Sequence, residues 1–140
     1  MPLRIAVVPG DGIGPEVIEP GVRVLQAATS GQSTSLQFTF YDIGADRYLR
    51  TGEILPESVF TELAAADAIY LGAIGDPRVK NPQYAAGILL RLRFELDLWA
   101  NLRPSTLLAP ALTPLRAALH TGLTGVAENP RGATDGRGGQ

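Results

Sequence analysis

The sequence predicts an α/β fold in which parallel-sheet layers carry helices on both faces. Short, β-prone apolar runs alternate along the chain with segments of helical spacing, and glycine-rich turns follow two of the runs. This alternation is typical of βαβ units with right-handed crossovers. A chain of 140 residues with 45% hydrophobic content and a net charge of −2 also suits a globular core.

The N-terminal part of the chain predicts a strand, a helix and a second strand. Residues 3–8 are an apolar run, and a helix is expected from Pro15 to about residue 28. Pro15 suits the first helical turn, and Glu16 lies near the positive end of the helix dipole. After a polar loop at residues 29–35, residues 36–41 alternate and are rich in aromatic side chains, as expected of a strand.

The middle of the chain continues the alternation. Residues 56–65 predict a helix because Leu55, Val59 and Leu63 recur every four residues on one face. Residues 67–72 predict a third strand that ends in a glycine turn, and residues 85–96 a third helix. In a parallel sheet, ligands bind beyond the carboxyl ends of the strands, where both glycine turns fall.

Composition and charge argue against several classes of function. Twelve basic and fourteen acidic residues are interspersed without a basic block, so no nucleic-acid partner is expected. The absence of cysteine removes disulfides, thiolate metal sites and cysteine nucleophiles. Neither a membrane-spanning apolar run nor a secretory signal is recognisable, so a cytoplasmic protein is expected.

Two arginines suggest a site for a small dicarboxylic acid. Arg93 lies on the third predicted helix and Arg103 on a strand predicted after that helix, so two guanidinium forks could converge on one dianion. The spacing alone favours a different interpretation, two solvated ends of an amphipathic element. Asp97 comes four residues after Arg93, which predicts an ion pair on the helix surface.

A glycine-rich turn follows the first predicted strand. Gly10 and Gly12 begin a pattern similar to the dinucleotide fingerprint, but Pro15 stands where the third glycine is required. By itself this turn is therefore a tight connection between a strand and a helix.

Three segments together resemble a known family. Gly10-Asp11-Gly12-Ile13-Gly14-Pro15-Glu16, the segment LGAIGDP at 71–77 and the segment at 90–104 occur in the order and rough spacing of the isocitrate/isopropylmalate family of β-decarboxylating dehydrogenases. The isopropylmalate-oxidising members are the most similar, and the resemblance runs from Leu3 to about Pro104. It implies an incomplete first domain of the isopropylmalate dehydrogenase type.

The resemblance implies an oxidoreductase of leucine biosynthesis that uses NAD to decarboxylate 3-isopropylmalate oxidatively. Tartrate, homoisocitrate and isocitrate remain open as alternative substrates. Arg93 and Arg103 would clamp the carboxylates. Leu89 and Leu90 would meet the branched alkyl group, although leucines at such positions are also core residues. The loop formed by Gly72, Ala73, Ile74 and Gly75 would lie near the nicotinamide, although a plain glycine turn has the same pattern.

The resemblance also implies groups that this sequence does not match. Mg²⁺ or Mn²⁺ would assist decarboxylation, and its ligands and the proton-transferring tyrosine and lysine are expected in downstream chain, so no catalytic or metal residue is assigned here. Members of the family are homodimers. We therefore expect a fragment with little or no turnover alone, and the alternative is a non-catalytic truncated product or an interaction subunit.

The C-terminal part predicts no regular structure. Residues 1–109 are expected to form the dehydrogenase-like domain, and residues 110–140 an irregular, disordered tail rich in glycine and arginine. Val126-Ala127-Glu128 is too short to predict a strand. We therefore hypothesise a truncation, such as a frameshift at about Leu115.

Overall fold

The structure is a computed structural model that describes residues 2–105, 109 and 123–128. Two compact units make up the chain, Met1–Arg91 and Leu92–Gln140. None of the helices in the described part of the chain is long and apolar enough to cross a membrane. The elements follow in the order β1 (Leu3–Gly10), α1 (Gly14–Thr29), β2 (Leu36–Phe40), α2 (Ala45–Thr51), α3 (Glu57–Ala64), β3 (Ala68–Ala73), α4 (Gln83–Glu95), β4 (Ala100–Ser105) and β5 (Leu123–Glu128).

The unit Met1–Arg91 contains a parallel sheet of three strands in the order β2-β1-β3. Val7 in the central strand lies opposite Phe40 on one side and Tyr70 on the other. The central strand is the most apolar because a strand covered on both faces has no solvent side. Ala6, Val7 and Val8 are accordingly at most 1% exposed. The parallel sheet confirms the predicted α/β class.

Helix α1 covers one face of the sheet. Its buried side chains Ile18 and Val22 pack with Val7, and half-buried side chains from the three strands surround them: Ile5, Phe38 and Tyr70. Pro15 stands in the first turn and Glu16 near the N-terminal end, as predicted. The helix therefore presents an apolar stripe to the sheet.

Helix α3 buries the face that the sequence indicated. Leu55 and Leu63 are buried and Val59 is half-buried. Arg91, at the C-terminal end of this compact unit, fastens α4 to the same region. One terminal nitrogen donates to the Leu55 carbonyl at 2.9 Å and the other to the Glu57 carboxylate. The guanidinium carbon also lies 4.5 Å from the centre of the Phe60 ring.

Replacing Arg91 with lysine is expected to lower the free energy of unfolding by about 1–2 kcal/mol, because an ammonium cannot make both hydrogen bonds and stack on the ring. Urea denaturation of the whole chain measures the change. The matched control is Arg50→Lys, since Arg50 and its partner Asp42 are 61% and 68% exposed. That change should cost less than about 0.5 kcal/mol. Equal losses in the two variants would contradict the assigned role.

Helix α2 was not predicted. It is a short element whose stability comes from tertiary contacts, because seven residues are too few for a stable isolated helix. Its first backbone amide, that of Ala45, donates to the Asp11 carboxylate 34 residues earlier. The helix ends at Gly52, which has a φ of 76° and whose amide donates to the Tyr48 carbonyl at 2.7 Å.

The unit Leu92–Gln140 contains an antiparallel pair, β4 with β5. The pair runs from Ala100 opposite Glu128 to Ser105 opposite Leu123. The expectation of an irregular tail was therefore wrong for residues 123–128. The local sequence Thr124-Gly125 is more typical of a turn than of a strand. The strand forms because pairing with β4 supplies its hydrogen bonds. Residues 106–108, 110–122 and 129–140 lie outside the described residues, so the domain boundary at 109 stays a prediction.

A tight turn follows the C-terminal end of α4. The amide of Asp97, which has a φ of 56°, donates to the Phe94 carbonyl at 3.3 Å, and that of Leu98 to the Arg93 carbonyl at 2.9 Å. This is the Schellman arrangement that ends many helices. Asp97 thus lies beyond the helix, and the helical spacing that predicted its ion pair with Arg93 does not extend to it.

Candidate functional site

A cleft of about 410 Å³ opens within the unit Met1–Arg91, beside the carboxyl end of β1. Strands β1 and β3 are parallel and end at Gly10 and Ala73, so their following turns meet at one edge, as the sequence predicted. The lining comes from the end of β1 through the first turn of α1, from the segment after β2 into the first turn of α2, and from the loop after β3. The lining residues are Pro9, Gly10, Asp11, Gly12, Pro15, Tyr41, Asp42, Ile43, Gly44, Asp46, Asp76 and Arg78.

Glycines allow the strand ends to approach closely. A Cβ on Gly72 would lie 2.1 Å from the Pro9 carbonyl oxygen, and a Cβ on Gly14 would meet the same oxygen at 2.1 Å. No side chain fits in either place. The turn predicted from the sequence is therefore explained by backbone packing, without a ligand.

The four residues of the expected cofactor loop have different environments. Gly72 packs against Pro9, and the Ala73 carbonyl accepts from the Asp11 amide at 2.6 Å. The Cδ1 of Ile74 lies 2.8 Å from the position that a Cβ on Gly10 would take. Gly75 differs because it is exposed and has a φ of 147°. Apart from its two chain neighbours, no heavy atom of the described residues lies within 4 Å of its Cβ position. Of these four residues, Gly75 is the one with open space beside it.

Asp11 joins the walls of the cleft and is the residue that sequence reasoning missed. It is 5% exposed. Its Oδ1 accepts from the Ala45 amide at 2.6 Å, and its Oδ2 accepts from the Gly75 amide and the Tyr84 hydroxyl, both at 2.8 Å. An aspartate between two glycines is an ordinary turn residue in sequence. Its partners lie at least 34 residues away, so the signal was not local.

Tyr84 lies in the first turns of α4 and is 2% exposed. Burial, followed by the hydrogen bond to the Asp11 carboxylate, raises the pKa of the Tyr84 hydroxyl above its usual range. The hydroxyl consequently stays protonated and can donate. Its ring lies 5.2 Å from the Tyr48 ring, and the Tyr48 hydroxyl accepts from Asn81 Nδ2 at 3.0 Å.

An ion-pair network forms the rim of the cleft. Arg78 pairs with Asp76 at 2.7 Å and with Asp46 at 2.8 Å. The hydrogen bonds from Arg78 lower the pKa of Asp76, so that carboxyl is ionised at neutral pH. The rim is therefore a set of fixed carboxylates with one guanidinium, and it provides no basic cradle for phosphate.

Arg93 and Arg103 both belong to the unit Leu92–Gln140, the first in the last turn of α4 and the second in β4. The predicted helix and strand positions are confirmed, and both residues are exposed. Arg103 Nε donates to Asn101 Oδ1 at 3.3 Å. In the described part of the chain, neither guanidinium pairs with a carboxylate, whereas five other arginines do: Arg4, Arg47, Arg50, Arg78 and Arg91.

Leu89 and Leu90 lie on α4 but contribute little to the core. Leu89 is half-buried and Leu90 is 39% exposed, while Ile88 and Leu92 are 0% and 4% exposed. The buried stripe of the helix therefore falls on Ile88 and Leu92. Leu90 has apolar surface to offer a ligand or another part of a protein.

A divalent metal requires a cluster of oxygen or nitrogen ligands. Within the residues that the structure describes, no group of three or more histidine, cysteine, aspartate or glutamate side chains is arranged to hold a metal ion. Four aspartates line the cleft. Asp46 and Asp76 pair with Arg78, Asp42 pairs with Arg50, and Asp11 accepts hydrogen bonds from three donors. The described residues therefore do not fit a metal site.

Comparison with known proteins identifies one family. Residues 4–128 match the model of the isocitrate/isopropylmalate dehydrogenase family. The match extends past Pro104, where the resemblance in the sequence ended, to the end of β5. The chain is 49% identical over 137 residues to a 3-isopropylmalate dehydrogenase of Nocardia farcinica and 43% identical over 141 residues to one of Leifsonia xyli. These matches cover 98% of this chain, which spans 40% of the length of these curated relatives.

Solved structures of dehydrogenases are also similar to this chain. A β-decarboxylating dehydrogenase of Thermococcus kodakarensis superposes with a TM-score of 0.70 at 35% identity, covering 96% of this chain and 38% of the other. An isocitrate dehydrogenase of Methylococcus capsulatus also gives a TM-score of 0.70, at 27% identity, over 91% of this chain and 34% of the other. Both superpositions cover nearly the whole chain but only about a third of each neighbour.

Proposed function

This chain belongs to the isocitrate/isopropylmalate dehydrogenase family, and from that premise we propose that it serves the NAD-dependent oxidative decarboxylation of 3-isopropylmalate to 2-oxoisocaproate, a reaction of leucine biosynthesis. The names and identities of the curated relatives support this substrate. Because the chain spans 40% of those relatives, the proposal concerns the reaction to which the chain contributes.

Two of the three arginines that have no carboxylate partner among the described residues, Arg93 and Arg103, carry the proposal. Arg93 and Arg103 are exposed, belong to one compact unit and keep their guanidinium groups free of carboxylates in the described part of the chain. A 2-hydroxy diacid presents two carboxylates, and a planar guanidinium binds each with paired hydrogen bonds. Holding both ends fixes the C–H bond relative to the hydride acceptor, which a single contact would leave free to rotate.

Leu89 and Leu90 are proposed to favour the alkyl branch of the substrate. They stand four and three residues before Arg93 in the sequence. An apolar surface distinguishes neighbouring alkyl groups by only about 1–3 kcal/mol, but it strongly disfavours an additional charge. Isopropylmalate is therefore preferred over isocitrate, whose third carboxylate would meet these leucines.

NAD is the proposed hydride acceptor, with its nicotinamide beside the loop that ends at Gly75. The open space at Gly75 and the absence of a side chain there suit the approach of a flat ring. A divalent cation, Mg²⁺ or Mn²⁺, supplies the Lewis acid for loss of carbon dioxide in such reactions. The described residues do not form its site, so no step is assigned to ligands from them. Homodimeric assembly and a cytoplasmic location stay predictions.

Binding of 3-isopropylmalate to the whole chain tests the clamp. Trp99 is the single tryptophan, is 59% exposed and lies between the two arginines in sequence, so its fluorescence is the natural reporter. Arg93→Lys and Arg103→Lys should each weaken binding about tenfold, because lysine cannot make the paired hydrogen bonds. Arg23→Lys is the matched control, an exposed arginine on α1. Equal weakening in the control, or no saturable binding, would refute the clamp.

A non-catalytic interaction subunit is the second candidate. Within the described residues, β2 and β3 each pair with β1 on one side only, which leaves strand edges available to another chain. Supplying isopropylmalate, NAD and Mn²⁺ separates the candidates. Formation of NADH is expected only from the catalytic function, and from this chain alone we expect the signal to lie below detection.

A further inference from the structure

We propose that Tyr84 is a positioning residue whose hydroxyl holds the Asp11 carboxylate, and through it the Gly75 loop, in the conformation that receives the cofactor. The identity of the ligand rests on the proposed function. The ordering of the loop does not rest on the proposed function, because the contacts argued below all lie within the unit Met1–Arg91. Neither residue needs to contact substrate for this role.

The Gly75 loop depends on Asp11 for its shape. Strand β3 ends at Ala73, so Gly75 lies beyond the hydrogen-bonded ladder of the sheet. Its φ of 147° is a backbone conformation that side chains disfavour, and glycine is also the residue with most freedom to leave it. The hydrogen bond from the Gly75 amide to Asp11 Oδ2 is what fixes this conformation.

Asp11 in turn depends on Tyr84. Oδ2 accepts from both Gly75 and Tyr84 at 2.8 Å, in a site where the aspartate is 5% exposed. A buried carboxylate is tolerated only when donors replace the lost water. Removing the Tyr84 hydroxyl takes away the one side-chain donor that Asp11 has among the described residues, and the carboxylate gains by turning toward solvent and away from Gly75.

Tyr84 is held in place by its own packing, so its hydroxyl can fix the position of the Asp11 carboxylate. It is 2% exposed, its ring packs on that of Tyr48, and it lies in the first turn of α4. Its raised pKa keeps the hydroxyl protonated, so the donor is always present. The cofactor loop and the start of α4 are thus fastened to the same carboxylate.

Amide hydrogen exchange, measured by NMR on the whole chain, tests the proposal. Tyr84→Phe keeps the ring and removes only the hydroxyl, and it should speed exchange at the Gly75 amide about tenfold while leaving the Val7 amide unchanged. Tyr48→Phe is the matched control, because it removes a hydroxyl from the neighbouring ring that does not reach Asp11. Unchanged exchange at Gly75, or an equal rise at Gly75 and Val7, would overturn the proposal.

Binding of NADH, followed by its fluorescence at a temperature where all variants are folded, gives the second readout. Tyr84→Phe should weaken binding several-fold relative to Tyr48→Phe, since the loop must then be ordered when the ligand arrives. Unchanged affinity together with faster exchange would overturn the cofactor role. If the unaltered chain binds no NADH, the proposal that NAD is the cofactor is refuted. The exchange rate at the Gly75 amide in Tyr84→Phe relative to Tyr48→Phe then decides alone whether Tyr84 orders the loop.

Discussion

Replacing Asp11 with alanine is expected to lower the free energy of unfolding by about 4 kcal/mol, because each buried donor left without a partner costs about 1–3 kcal/mol. Two buried donors, the Ala45 amide and the Tyr84 hydroxyl, lose their acceptor together, and so does the amide of the exposed Gly75, which water can still reach. A loss of this size is a large part of the total stability of a small domain. Urea denaturation of the whole chain, or its soluble yield, measures the effect.

Asp11→Asn should be intermediate, with a loss of about 2–3 kcal/mol. The amide has one oxygen, so its NH₂ group must face either the Ala45 amide or the pair formed by Gly75 and Tyr84, which places two donors in contact. The control is Asp42→Ala, which removes an exposed carboxylate paired with Arg50 at 2.9 Å and should cost less than about 1 kcal/mol. A similar loss for Asp42 and Asp11 would show that Asp11 does not join the cleft walls.

Replacing Gly72 with alanine is expected to lower the free energy of unfolding by about 3 kcal/mol. Overpacking typically costs about 1–3 kcal/mol, and the cost is highest where the backbone itself must move. The new Cβ would lie 2.1 Å from the Pro9 carbonyl oxygen and 3.1 Å from Ile18 Cγ1. The oxygen belongs to the central strand, so β1 and β3 would have to separate. Thermal unfolding followed by circular dichroism measures the loss.

Gly87→Ala provides the same chemical change in a different setting. Its Cβ would lie 3.2 Å from Ile54 Cγ2, the end of a movable side chain, and alanine favours a helix over glycine by up to about 1 kcal/mol. The net change in the free energy of unfolding should therefore be less than about 1 kcal/mol in either direction. If Gly72→Ala were equally mild, the close approach of β1 and β3 would not be the reason for glycine at that position.

Regular elements were predictable where the signal was local. The apolar run at the start of the chain and the four-residue spacing of Leu55, Val59 and Leu63 predicted β1 and α3, because propensity and periodicity act over a few residues. Helix α2 and strand β5 were missed. The first is short and begins on the Asp11 carboxylate, and the second obtains its hydrogen bonds from β4, so neither carries a strong signal of its own.

For this protein, the sequence by itself determined the parallel α/β class, the placement of Arg93 on a helix and Arg103 on a strand, and the resemblance to its family. Only the tertiary structure decided that Asp11 and Tyr84 meet, that Gly72 is required by the Pro9 carbonyl, and that Gly75 keeps open space. The reason is physical: periodicity depends on neighbours in the chain, whereas a buried carboxylate is satisfied by donors that folding brings from 34 to 73 residues away.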